Sequence, residues 1–190
     1  MPIEKIVPDA VTTPNPAWTT NPHLQLDADD TNYATCAGAD TGESFVVSFG
    51  NLTATNIDSI NSIRFYINGI VTERRGVSAV VSVCLYDSST TNYYNETKTF
   101  SDTTLTTVQA GTERTTSDGS TAWTESDVNG LRMIVTFDSI TNSGGNINLD
   151  FLKIDVDYVE DILAPYDNTL NNITLNSGTI TISGGNIILN

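Results

Sequence analysis

The sequence predicts an all-β chain organised around a β-sandwich, and three observations support that reading. Apolar residues alternate with polar ones at period two through most of the chain, the spacing at which side chains reach one face of a strand. Charged residues make up only 16% of the sequence, below the ~25% usual for soluble proteins. Thr, Asn, Ser and Gly take their place, and these suit pleated strands and the turns between them rather than helices. Each alternating run also ends in turn chemistry: GN, NG, DSST, SDGS or NSGGN.

Residues 1–22 hold five of the six prolines, Pro2, Pro8, Pro14, Pro16 and Pro22. Proline cannot donate to a sheet ladder, so an extended arm or loop is expected there, not a central strand. Residues 23–161 carry the sandwich. In SFVVSFG, Phe45, Val47 and Phe49 share a face. In INSIRFYING, Ile63, Phe65 and Ile67 point inward while Arg64, Tyr66 and Asn68 point outward. Val77, Ala79, Val81, Val83 and Leu85 form the next inward set, and Leu131, Met133, Val135 and Phe137 another. Leu152, Ile154, Val156 and Tyr158 form the last, with Lys153, Asp155 and Asp157 outward. One helical turn is expected at WTESDVNG, with Thr124 as N-cap, Asp127 answering it and Gly130 as the stop.

Residues 162–190 differ in texture. Aligned by sevens they read YDNTLNN, ITLNSGT, ITISGGN, IILN, with Ile173, Ile180 and Ile187 in one slot and Leu175, Ile182 and Leu189 two places later. Apolar residues two apart, among Thr, Asn and Gly, suit three-residue strands joined by short turns, not a coiled coil. Each unit buries too little to stand alone, so these six side chains are expected to form an oligomer interface between copies of the chain.

The charge balance bears on partners. Eight Lys and Arg against 23 Asp and Glu give a net charge of −15, which argues against a nucleic-acid role because phosphate recognition needs clustered cations. No apolar run approaches the ~18 residues of a membrane span. The start MPIEKIVPDA lacks a basic stretch followed by an apolar core, so synthesis in a cytoplasm is expected. Cys36 and Cys84 do not make a disulfide framework, and whether they pair is open.

Catalytic and metal chemistry find little footing. His23 is the sole histidine and has no triad partner placed by a recognisable motif. Asp155 and Asp157 could meet the carboxyl spacing of a glycoside hydrolase, but a solvated stripe beside Lys153 is the simpler reading. Asp27, Asp29 and Asp30 offer oxygen ligands of the kind calcium takes, yet lack the Gly and distal Glu of an EF-hand loop. GTERTTSDGS has glycines without a lysine, so it reads as a hairpin or loop. No enzyme activity, cofactor or metal is expected.

WTTNPHLQLDADDTNYAT, SINSIRFYING and WTESDVNGLRMIVTF followed by LDFLKIDVDYVED resemble, in order and texture, the virion-associated β-sandwich proteins of tailed bacteriophages. The resemblance runs from Pro16 to Asp161. It implies a jelly-roll-like sandwich of the head-decoration or fibre type, and the tail is similar to the intertwined β-structure of trimeric phage fibres and spikes. The resemblance further implies a homotrimeric capsid decoration (cement) protein on the outside of the phage head, with the major capsid protein as partner and the tail knitting the trimer. The alternatives are a head or tail fibre that contacts host glycans, with Tyr93 and Tyr94 in TNYYNET as candidate readers, and a carbohydrate-binding module.

Overall fold

The computed structural model describes residues 2–19, 22, 26, 32–72, 77–86, 92–101, 103–104, 108–142 and 144–161, with the side chains of 92 and 93 excepted. The predicted interface residues Ile173, Leu175, Ile180, Ile182, Ile187 and Leu189, together with His23, Asp27, Asp29 and Asp30, lie outside the described residues.

The described chain forms, in order, β1 (Ile3–Ile6), β2 (Pro8–Thr13), β3 (Ala34–Ala37), β4 (Ser44–Phe49), β5 (Ile57–Thr72), β6 (Ala79–Tyr86), β7 (Asn92–Phe100), β8 (Gln109–Ala110), α1 (Glu125–Asn129), β9 (Arg132–Ile140) and β10 (Asn146–Glu160). These strands make two antiparallel sheets. The first has the order β1-β10-β5-β8, with β3 also on β10, and the second β2-β4-β9-β6-β7. From β3 onward the chain crosses repeatedly between the sheets, and only β6 and β7 follow one another within one sheet. This is the all-β sandwich expected from the alternation, of the jelly-roll-like kind that the resemblance implies.

The proline-rich start supplies an edge strand to each sheet: β1 pairs with β10 and β2 with β4. Pro8 opens β2, and Pro14 and Pro16 follow its end, so no proline interrupts a central ladder.

Inward-facing sets from the two sheets meet in one core. Phe45, Val47, Ile67, Val81, Met133, Val135, Phe137, Leu152, Ile154 and Val156 have no measurable exposure. The short helix is closed as expected. The Thr124 hydroxyl accepts from the Asp127 N–H at 3.1 Å, and the Asp127 carboxylate accepts from the Thr124 N–H at 2.9 Å. Trp123 just before it is buried, and its indole N–H donates to the Arg114 carbonyl at 3.0 Å.

Asn68 departs from the alternation, because it is buried rather than outward. It lies opposite Phe151, beside the register shift between Leu149 and Phe151 in β10. At that end of the sheet Asp150 and Phe151 are buried as well, and Leu26, itself fully buried, accepts from the Leu152 N–H. The Asn68 side-chain oxygen accepts from the Gly69 N–H at 2.9 Å. At Gly69 a Cβ would meet the Asn148 carbonyl oxygen at 2.8 Å, so the strands approach too closely there for any other residue.

Cys36 and Cys84 are not joined in a disulfide. Cys36 belongs to β3 in the first sheet and Cys84 to β6 in the second, on the face opposite to the core-lining Val83 and Leu85. Burial, with Asp40 and Glu43 nearby, pushes the Cys36 thiol up to about 12, which leaves it unreactive at neutral pH.

Leu152→Ala should cost ~2–5 kcal/mol, since it opens a cavity in a fully buried site. Chemical denaturation of both chains measures this, and a loss under about 1 kcal/mol would contradict the core placement.

Candidate functional site

The longest strands, β5 and β10, lie side by side at the centre of the first sheet. Their register sets Asp157 opposite Ser62, Asp155 opposite Arg64 and Lys153 opposite Tyr66. Because Ile63, Phe65, Ile154 and Val156 point into the core, the residues between them project outward. On the far side of β10, β1 places Ile3 opposite Asp157 and Lys5 opposite Asp155. On the far side of β5, Glu113 follows β8. The result is a charge row of alternating sign, Lys5, Asp155, Arg64 and Glu113, laid across four chain segments.

This row crosses a shallow cleft of about 110 Å³ lined by Ile3, Ser62, Arg64, Tyr66, Glu113, Asp155 and Asp157. Two ion pairs organise it. Arg64 donates to Glu113 at 2.6 Å, with the Ser62 hydroxyl donating to the same carboxylate at 2.8 Å. Lys153 donates to both oxygens of Asp155 at 2.8 and 2.9 Å. The Lys153 ammonium also lies 4.3 Å from the centre of the Tyr66 ring. Two polar atoms stay unmatched: Asp157 Oδ1 and Arg64 Nε are buried and have no hydrogen-bond partner. Ile3 is 66% exposed beside them, the most exposed large apolar side chain among the described residues. A rim of fixed donors and acceptors around an aromatic ring and an apolar edge is the composition of a small-molecule site.

The outward placement of Lys153, Asp155 and Asp157 agrees with the alternation, as does that of Arg64 and Tyr66. The sequence gives no sign that Ser62, Glu113 and Ile3 neighbour that stripe. They reach it only through the registers of β10 with β5 and with β1, which no local pattern encodes.

Tyr94, a candidate glycan reader whose simpler sequence reading is an ordinary hairpin tip, sits within strand β7. Its ring stacks under the Arg114 guanidinium at 3.9 Å and lies 6.4 Å from the Trp123 ring. Beside it, Glu96 ties β7 to the segment after β8. It accepts from the Thr112 N–H at 3.0 Å, from Lys98 at 3.2 Å and from Arg114 at 3.0 Å. These groups, with the Lys98 ammonium 5.3 Å from the Phe65 ring centre, brace the open edge of the sandwich and leave no room for a ligand between the sheets.

Comparison with protein-family models gives no match, and neither does comparison with curated proteins. Among solved structures, the chain is similar to a truncated AlyQ with CBM32 and alginate lyase domains, at 14% identity and a TM-score of 0.46, covering 84% of this chain and 34% of that one. It thus spans about a third of that structure's length. It is also similar to the CBM36-1 domain of a multidomain xylanase from the hindgut metagenome of Trinervitermes trinervoides, at 10% identity and a TM-score of 0.44, covering 80% and 96% of the two chains. A third likeness is to CBM32 of AlyQ in complex with 4,5-unsaturated mannuronic acid, at 14% identity and a TM-score of 0.43, covering 80% and 97%. At these values the likenesses assign neither a function nor a site.

Burial of Glu96 alone would raise its carboxyl, but hydrogen bonds from the Thr112 N–H, the Lys98 ammonium, the Thr112 hydroxyl and Arg114 outweigh it. The group is therefore held below its ordinary value of 4.5. A carboxyl more acidic folded than unfolded stabilises the fold above its unfolded pKa, and that contribution fades as pH falls through the folded value. The stability gap between the native chain and Glu96→Gln should therefore be largest at neutral pH and shrink below about pH 4.5. Denaturation midpoints across pH 3–7 measure it, and a gap that widens on acidification would contradict the network.

Proposed function

We propose that this chain is a non-catalytic carbohydrate-binding module that holds a saccharide in the cleft on the outer face of the first sheet. The observation that carries this reading is a cleft on one sheet face that sets the Tyr66 ring and the exposed Ile3 beside the polar side chains of Ser62, Arg64, Glu113, Asp155 and Asp157. A sugar ring supplies the matching surface. Its hydroxyls both donate and accept, and its C–H face packs on an aromatic ring or an exposed isoleucine.

Binding without cleavage is favoured by the state of the carboxylates. Asp155 is engaged by Lys153 and Glu113 by Arg64, which leaves Asp157 as the one unpaired carboxyl among the described lining residues, whereas glycoside hydrolysis takes two. The site rests on adjacent strands of a continuous sheet, which keeps its groups in place before a ligand arrives.

A second reading keeps the chain as a trimeric capsid decoration protein on the phage head, and the seven-residue repeat of residues 162–190 favours it. Its signature is co-sedimentation with assembled capsids. A fibre that reads host glycans would combine the two.

The direct test is retention of the full chain in gels cast with soluble polysaccharides, run beside Tyr66→Ala and Asp157→Ala. At least one polysaccharide should retard the native chain, with affinity falling about tenfold or more in each variant, the cost of losing one hydrogen bond to a charged group or one stacking face. Equal retention of all three chains, or none by any polysaccharide, would overturn the proposal.

A further inference from the structure

Resting on that reading, we infer that Lys153 is the positioning residue of the cleft: it holds Asp155 away from Arg64, fixes the Tyr66 ring and so keeps the cleft open. Lys153 is not among the residues that line the cleft, although both side chains it engages are. Its ammonium donates to the two carboxylate oxygens of Asp155 at 2.8 and 2.9 Å. The same ammonium lies 4.3 Å from the centre of the Tyr66 ring. One cation on β10 thus grips a wall residue of its own strand and another on β5, reaching both from outside the cleft.

The strand register gives this grip its consequence. Arg64 lies directly opposite Asp155 in the ladder between β5 and β10, where Cβ atoms stand about 4.5–5.5 Å apart and opposite charges attract. That pairing is not the one made. Arg64 turns across β5 to Glu113 at 2.6 Å, and Asp155 turns along β10 to Lys153 at 2.8 Å. The two side chains therefore lean away from each other, and both line the cleft that this leaves.

Glu113 alone does not maintain that separation. The side chains of Arg64 and Glu113 are 37% and 51% exposed, and water and salt weaken an ion pair so placed. Asp155 is more sheltered, at 21%, and faces Arg64 across a single strand spacing. Without the Lys153 charge, Asp155 is free to draw Arg64 over the ladder and fill the space a ligand would take. Asp157, next on the same face of β10, adds a like charge that favours the same move. The Tyr66 ring meanwhile loses the cation that fixes its orientation.

Gels cast with soluble xylan, galactomannan, β-glucan or alginate test this on the full chain and its variants. On the polysaccharide that retards the native chain most, Lys153→Met should bind about tenfold more weakly or worse. Lys153→Gln takes its place if Lys153→Met loses the native circular dichroism. Lys153→Arg keeps both the ion pair and the ring contact, and should recover most of the lost affinity. Adding Asp155→Asn to Lys153→Met removes the charge that draws Arg64, and should recover about threefold or more. A side chain that only stabilised the fold would show no such recovery from a second site. Retention of Lys153→Met equal to that of the native chain, or no recovery on adding Asp155→Asn, would overturn the inference. With Tyr66→Ala still abolishing retention, the cleft would then stand as the binding site. Retention unaffected by Tyr66→Ala, or none by any of the four polysaccharides, would overturn the cleft reading itself and the role of Lys153 with it.

Discussion

The antiparallel ladder between β5 and β10 sets the position of nearly everything else in the molecule. It runs from Ile57–Glu160 at one end to Thr72–Asn146 at the other, longer than any other pairing in the described chain. Its inner face carries Ile63, Phe65, Ile67, Leu152, Ile154 and Val156, half of the apolar layer between the sheets. Its outer face carries Ser62, Arg64, Tyr66, Lys153, Asp155 and Asp157, nearly the whole wall of the cleft. Because side chains alternate with period two, core and cleft are two sides of one register. A slip by a single residue would bury the charges and expose the isoleucines. The apolar layer thus fixes the position of every cleft side chain on these strands, without those side chains needing to hold themselves there.

That coupling also explains how the cleft tolerates unmatched polar atoms. An unsatisfied buried acceptor costs on the order of 1–3 kcal/mol, and Asp157 Oδ1 and Arg64 Nε both carry such a cost. The register enforces their positions whether or not a ligand is present, so the cost is borne by the core. The opposite design appears at Glu96, where every acceptor lobe faces a donor from Thr112, Lys98 or Arg114. Glu96 closes an edge of the sandwich and stabilises it, whereas beside the cleft two buried polar atoms remain without a hydrogen-bond partner.

The alternation in the sequence is enough to place both faces of β5 and β10, because a half-buried strand writes its orientation into every second residue. It fails at Asn68, which is buried beside a register shift in the partner strand, and that shift is not visible from the strand's own residues. The proline count reads as an extended arm or loop set apart from the sandwich, whereas Ile3–Ile6 and Pro8–Thr13 each pair at the edge of a sheet, and nothing local says which sheets they join. Tyr94 reads as an exposed tip because turn residues surround it; its burial depends on Trp123 and Arg114, distant in sequence. The cleft is half legible for the same reason: Arg64, Tyr66, Asp155 and Asp157 are written in two strands, whereas Glu113 and Ile3 arrive by long-range pairing.

The carbohydrate-binding reading requires that the outer face of the first sheet be the ligand surface. Amide chemical-shift mapping of the isotope-labelled full chain during titration with a neutral oligosaccharide reads that face residue by residue. Shifts should concentrate on residues 62–66, 113 and 153–157 and at Ile3, with the outer face of the second sheet silent. Shifts confined to the second sheet or to the loops at the ends of the sandwich would contradict it.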